Sequence, residues 1–262
     1  MLKNLKFPIS ILKYKLNKFK GEKKLSIKLN DYETNLAKEL KKNGYCIIEN
    51  FYTEQECLEL IKIIDEKLLD TPKNILEDET KSDQRIFFSE KLSKKINQYF
   101  ENNLIKKIGQ FYSKFHILPG FTLANKVTYK PKNLGSGGGW HKDAYYPQFK
   151  SILYLNDVNF ENGPFQLLDQ TNKLMKSIKI SIKLKKGYPH TRFSEEELKN
   201  LGNEKKITLI GKAGTLILFD GSLIHRGSPI LNGKRYALTN YYFPKVDFDN
   251  LIQKFKVKIR NE

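Results

Sequence analysis

Trp140-His141-Lys142-Asp143-Ala144 is the stretch on which the reading of this chain turns. His141 and Asp143 stand two residues apart. In an extended strand, side chains at i and i+2 point to the same face, so an imidazole and a carboxylate converge there on one ion. His225, roughly eighty residues further on, can add a third ligand from another strand. Two histidines and one carboxylate on one side of a metal are the facial set of non-haem Fe(II) sites, and they leave coordination positions open. A His-x-Asp pair alone occurs by chance in many proteins. Here only four histidines are present (His116, His141, His190 and His225), and two of them fall on the pattern.

Strand-like segments surround these ligands. Phe121–Lys130 reads as a strand ended by Pro131, which cannot donate to a ladder. A loop with Gly135, Gly137, Gly138 and Gly139 leads into the quoted stretch; it lacks the Gly-Lys-Ser/Thr of a phosphate-binding loop. Further strands are expected at about 150–156, 164–168, 205–210, 214–220 and 235–243, with Asn232-Gly233 as a hairpin turn. Residues 170–204 form an insertion that carries a capping box, Ser194-x-x-Glu197.

The front half reads differently. Asp31 is placed to cap a helix that Asn43-Gly44 closes. Tyr45–Asn50 is a short strand, and Thr53-x-x-Glu56 opens a helix with Leu58, Ile61, Ile64 and Leu68 on one stripe. Gln84–Phe88 is a strand, and residues 90–115 form one or two amphipathic helices. Helices first and many strands afterwards predict an α+β fold whose strands close as a barrel or sandwich. No internal repeat is visible. The expected organisation is a basic segment over 1–30 and a single domain over 31–262, with core strands between about 120 and 245.

Composition sets outer limits. A chain of 262 residues is long enough to bury a core. No apolar run reaches membrane-spanning length, and the N-terminus has no signal-peptide pattern. Two cysteines, Cys46 and Cys57, make no disulfide framework and suit a reduced, cytoplasmic chain. The net charge of +18 invites a nucleic-acid role. Only five of the 47 basic residues are arginine, the residue favoured for bidentate phosphate contacts, and the lysines are spread along the whole chain. That distribution argues against nucleic acid as a partner. Residues 1–22 are basic and partly amphipathic, with Ile9, Leu12, Leu16 and Phe19 at helical spacing. They read either as a first helix packed on the domain or as a helix on an anionic membrane surface.

The ordered set of motifs resembles the phytanoyl-CoA dioxygenase family of Fe(II)/2-oxoglutarate oxygenases. The matching pieces are Trp140-His141-Lys142-Asp143, Tyr154-Leu155-Asn156-Asp157 with Glu161-Asn162-Gly163-Pro164, Gly214–Gly221 with His225, and Arg235-Tyr236-Ala237-Leu238. Tyr45–Phe51 is similar to the family's opening, and the likeness spans about residues 40–245. The resemblance implies a double-stranded β-helix with the N-terminal helices packed on it. It implies Fe(II) held by His141, Asp143 and His225, with 2-oxoglutarate as cosubstrate and O2 as oxidant. It places Arg235, ten residues after the second histidine, on the distal carboxylate of 2-oxoglutarate, where a guanidinium makes a bidentate pair. Lys150 and Thr128 are further cosubstrate candidates. Lys150, Ile152 and Tyr154 share one strand face, and Thr128 lies on the preceding strand; Lys150 also reads as a solvated strand-end lysine.

The implied activity is hydroxylation of an unactivated C–H bond of a small organic substrate, with succinate and CO2 as co-products. Asp143 disfavours halogenation, for which related enzymes put alanine at that position. Gln166–Thr171 departs from the family's usual Pro-Gly-Ser-His continuation, so that wall of the site differs. Arg226, next to a ligand, is expected on the opposite face. Trp140, Tyr145 and Tyr146 are candidate pocket walls, and Arg85 and Arg192 are candidates for covering its mouth or binding an anionic substrate. The alternative reading is a non-catalytic barrel that binds or senses a small molecule, attached to a membrane surface through residues 1–22. It predicts the loss of a ligand, and all three ligands are present.

Overall fold

The computed structural model describes residues 27–70, 75–114, 119–186, 190–202, 204–243 and 248–249. The amphipathic stretch over 1–22 and His116 lie outside the described residues. Helix α1 (Asp31–Asn43) is capped one residue earlier than the sequence suggested. The Asn30 side chain accepts from the Glu33 N–H, and the Glu33 carboxylate accepts from the Asn30 N–H. Asp31 instead places a negative charge in the first turn, where the helix dipole favours it. Strand β1 (Tyr45–Ile48) follows directly after Gly44, whose φ of 85° closes the helix in a left-handed cap. The Thr53–Glu56 capping box opens α2 (Glu54–Leu69) as expected.

A short hairpin comes next, β2 (Ile75–Glu77) and β3 (Asp83–Ile86). The amphipathic run over 90–115 is two helices after a 3-10 turn, α3 (Lys94–Phe100) and α4 (Asn103–Ser113). They are divided at Asn102, whose side chain accepts from the Ile105 N–H. The remaining strands are β4 (Gly120–Thr128), β5 (Phe149–Tyr154), β6 (Phe165–Leu168), β7 (Lys206–Leu209), β8 (Leu216–Asp220), β9 (His225–Gly227) and β10 (Lys234–Tyr242). The insertion between β6 and β7 carries α5 (Leu174–Lys183) and α6 (Glu195–Asn200), the latter opened by the Ser194–Glu197 box.

The strands form two sheets. The larger runs β1-β8-β5-β10-β4-β3-β2 and the smaller β7-β6-β9, every described pairing being antiparallel. Both faces of the larger sheet are covered. Phe149, Leu153, Leu216, Leu218, Tyr236 and Leu238 point outward and pack with Leu36, Leu40, Leu60, Ile64, Ile105 and Ile108 from the helices. Their neighbours Tyr154, Ile217, Phe219 and Ala237 point inward and meet Phe165, Leu167 and Leu209 of the smaller sheet. This is why Leu216-Ile217-Leu218-Phe219 reads as an unbroken apolar run rather than an alternating one. Two sheets facing each other with helices on the outside of one give the expected double-stranded β-helix.

Three elements had no expected bounds: α5, and the strands β2 and β9, each of three residues, too few to show a period. The two cysteines are free and buried. No described helix is long and apolar enough to cross a membrane. The layer between helices and sheet predicts a stability contrast. Leu218→Ala removes a fully buried side chain and is expected to lower unfolding stability by about 2–5 kcal/mol. Thr53→Ala removes an exposed cap and should cost about 1 kcal/mol. Urea denaturation of the two variants measures both.

Candidate metal centre

The three predicted ligands meet. His141 and Asp143 do not lie in a regular strand, as the spacing had suggested. Residue 141 makes a single antiparallel bridge with His225. The His141 N–H donates to the His225 carbonyl at 2.9 Å, and the His225 N–H returns a bond to His141 at 2.8 Å. Two residues on, the Asp143 N–H donates to the Gly221 carbonyl at 2.9 Å. The segment is extended enough for residues 141 and 143 to share a face. Lys142 points away, donating to the Thr171 carbonyl at 2.6 Å and to the Ser177 hydroxyl at 2.7 Å.

One ligand atom from each of His141, Asp143 and His225 lies within 4.8 Å of the others. His225 Nε2 is 3.0 Å from Asp143 Oδ2, and His141 Nε2 is 3.8 Å from Asp143 Oδ1. Each imidazole has its Nδ1 2.8 Å from a carbonyl two residues upstream, Gly139 for His141 and Leu223 for His225. A carbonyl only accepts, so both Nδ1 atoms carry a proton and both Nε2 atoms face the shared space. Burial, reinforced by the neighbouring His225, pushes the His141 imidazolium down to about 3, so the ring is neutral at physiological pH. Desolvation alone would raise the Asp143 carboxyl, but Lys150 and then His225 and His141 overcome it and hold it well below the usual carboxylate range. Two imidazoles, that of His141 held neutral by burial, and one carboxylate fit a divalent first-row metal.

The cavity beside the ligands runs between the two sheets. Its wall includes His141, His225, Phe165, Phe219, Ile152, Tyr154, Asn125, Arg85 and Arg235. Arg235 is 5% exposed. Its Nη1 donates to the Gly163 carbonyl and its Nη2 to Asn125 Oδ1 at 3.4 Å, while its Nε has no partner. Among the described residues no carboxylate lies within ion-pair distance of it. Burial pushes this guanidinium below its ordinary value. A buried cation with a spare donor is a receptor for an anionic group.

Lys150 also lines the cavity, and it is 1% exposed rather than a solvated strand-end residue. Its Nζ lies 2.6 Å from Asp143 Oδ2 and 3.6 Å from the centre of the Tyr241 ring. Thr128 does not reach the cavity. It shares its face of β4 with Ala124 and Lys126, whereas Leu123 and Asn125 line the wall. Asn125 was missed, although a polar residue inside the run Phe121-Thr122-Leu123-Ala124 onward was visible in the sequence. The expected walls also shift. Trp140 is buried among Leu168, Ile180, Leu201 and Ile224 under the insertion, with its Nε1 donating to Glu195. Arg226 stacks on Trp140 at 4.4 Å and pairs with Glu195, on the opposite face as expected. Tyr145 donates to the His190 carbonyl, and neither Tyr145 nor Tyr146 is among the cavity's lining residues. Arg192 is exposed and holds the glycine loop through the Gly137 and Gly138 carbonyls, at 2.9 and 3.0 Å. Arg85 sits on the cavity wall, paired with Asp83.

The glycine loop is fitted to the first histidine. Gly137 has φ of +89°, and a Cβ there would lie 2.6 Å from His141 Cε1. Gly137→Ala is therefore expected to displace the ring and weaken divalent metal binding by about 10-fold or more, with little change in far-UV circular dichroism. Calorimetric titration with Ni(II) measures it.

The comparisons with known proteins agree with this geometry. The family model described as phytanoyl-CoA dioxygenase (PhyH) matches residues 40–237. Among solved structures, the epimerase SnoN in complex with Fe3+, alpha ketoglutarate and nogalamycin RO superposes with a TM-score of 0.64 at 13% identity, over 81% of this chain and 83% of that one. EctD from S. alaskensis gives 0.63 at 17% identity, over 84% and 80%. HygX from Streptomyces hygroscopicus, with nickel and 2-oxoglutarate bound, gives 0.54 at 13%, over 83% and 88%. No curated protein sequence matches. The family match covers most of the chain and contains the bridge, the carboxylate and the buried arginine together: the chain belongs to the phytanoyl-CoA dioxygenase family, and with it to the 2-oxoglutarate-dependent non-haem iron oxygenases.

Proposed function

We propose that this protein hydroxylates an unactivated C–H bond of a small organic molecule, with Fe(II) held by His141, Asp143 and His225 and the distal carboxylate of 2-oxoglutarate held by Arg235. The observation that carries this reading is the pairing of a three-ligand cluster with a buried, carboxylate-free arginine on the wall of one cavity. The first fits a metal that needs open positions; the second fits a dicarboxylate reaching away from it. SnoN and HygX, which share the fold, were crystallised with a metal and this cosubstrate. When bound, iron and 2-oxoglutarate supply the oxidising power, using O2 so that one oxygen atom enters succinate and the other the product, with loss of CO2.

The chain's own residues bind, orient and exclude water. The Gly139 and Leu223 carbonyls accept from both Nδ1 atoms and so orient both rings with Nε2 toward the position a metal would take. Lys150 keeps Asp143 ionised. The Arg235 guanidinium is set by Gly163 and Asn125 before any ligand arrives, which lowers the ordering cost of binding. Phe165, Phe219, Ile152 and Leu123 give the wall an apolar part that helps keep the site from water. Asp143 supports hydroxylation over halogenation, since the carboxylate fills the position a halide would need. A non-catalytic barrel has no observation in its favour, because no ligand is lost.

Anaerobic addition of Fe(II) and 2-oxoglutarate should give a weak visible metal-to-ligand charge-transfer band. His141→Ala and His225→Ala should abolish it, and an unchanged band in either would sink the iron assignment. Arg235→Ala should weaken 2-oxoglutarate binding by about 10- to 100-fold, the loss expected for one charged hydrogen-bonded contact. An unaltered affinity would move the cosubstrate contact elsewhere.

A further inference from the structure

We propose that the substrate carries a carboxylate and that Arg85 binds it. This inference rests on the iron and 2-oxoglutarate reading above and adds the substrate class. Arg85 lies on β3, and the register places it opposite Asn125 on β4, which is in turn opposite Ala237 on β10. All three residues face the cavity. The Arg85 guanidinium is pinned along one edge: Nε donates to Asp83 Oδ2 at 2.8 Å, and Nη2 donates to the same oxygen. Asp83 is itself fixed, with Asn125 Nδ2 donating to its other oxygen and its own N–H donating to Asp78. Nη1 of Arg85 has no hydrogen-bond partner among the described residues. One edge of the fork is thus braced and the other is open, a pre-oriented receptor for an oxyanion.

The charges around the cavity select the class. Arg85, Lys150 and Arg235 bring three positive charges, and Asp83 and Asp143 bring two negative ones. Fe(II) and doubly ionised 2-oxoglutarate cancel each other. One positive charge is left over in a shielded space, where an uncompensated charge is costly. Arg235 is taken by the cosubstrate and Lys150 sits on Asp143; Arg85 pairs with Asp83 through one edge only, so the donor left for a further anion is its open Nη1. A single surplus charge matches a monocarboxylate; a phosphate monoester dianion would overshoot it. Phe87, Leu123 and Tyr241 complete this part of the wall and suit an apolar carbon body attached to the carboxylate.

The test uses the full chain loaded anaerobically with Fe(II) and 2-oxoglutarate. Short aliphatic and aromatic monocarboxylates are titrated against their primary amides and against alkyl phosphates, and the charge-transfer band is followed. Carboxylates should shift the band and amides should not. Arg85→Gln should keep the band and bind the same carboxylates about 10- to 100-fold more weakly, as expected for a lost charged hydrogen bond. Arg85→Lys, which keeps the pair with Asp83 but not the fork, should also keep the band and lose carboxylate affinity. The proposal is overturned if amides act like carboxylates, if phosphates bind more tightly, if no carboxylate moves the band, or if Arg85→Gln binds carboxylates as wild type does. Loss of 2-oxoglutarate affinity in Arg85→Gln would assign the residue to the cosubstrate instead. A wild-type protein that never shows the band overturns the iron reading and this inference with it, whereas a band indifferent to carboxylates overturns this one alone.

Discussion

Two backbone hydrogen bonds, exchanged between residue 141 and residue 225, hold the candidate metal centre together. They add residue 141 to the free side of β9 through an isolated bridge, and residue 141 is bridged in turn to Arg192. Everything at the centre follows from that bridge. It brings the two imidazoles to 4.5 Å between ring centres, and Asp143 follows two residues later on the same face. The ring orientations are then set by carbonyls of each histidine's own chain segment. The side chains need little freedom to find the ligating geometry, because backbone groups have already fixed it.

The same extended segment has a second face. Lys142 points under the insertion, where burial pushes its ammonium down to about 7 although Asp220 opposes the shift. Its bonds to Thr171 and Ser177 tie the ligand segment to the start of α5. Trp140, with the opposite parity to His141, packs beneath the same insertion. The residues flanking each ligand are therefore anchors on the far side of the wall. This explains why a tryptophan beside a metal ligand is not a pocket wall.

Much of this was legible in the sequence, for identifiable reasons. Strands buried on both faces leave apolar runs, and the capping boxes at Thr53 and Ser194 mark helix starts with two reciprocal bonds each. That His141, Asp143 and His225 meet and that Arg235 lines the same cavity was legible because their order and spacing match the family's motifs. What was not legible depended on pairing across long sequence distances. The strand β9 exists because His225 meets β6 on one side and residue 141 on the other. Thr128 was named and Asn125 was not, because the face of β4 that looks inward is set by its register with β10, and a one-residue shift in parity inverts that face. Arg85 looked peripheral because β3 precedes the main run of strands; the sheet order brings it beside β4 and onto the wall.

That sheet order separates two parts of the site. The candidate metal ligands hang on the β8–β9 turn and the segment it bridges, at the heart of the fold. Arg85 stands on β3, with only the short, partly exposed β2 between it and the sheet's margin. On its outer side β3 has only a three-residue strand, so a substitution there is expected to disturb folding less than one around residue 141, and to reshape one wall of the cavity while leaving the candidate metal cluster in place.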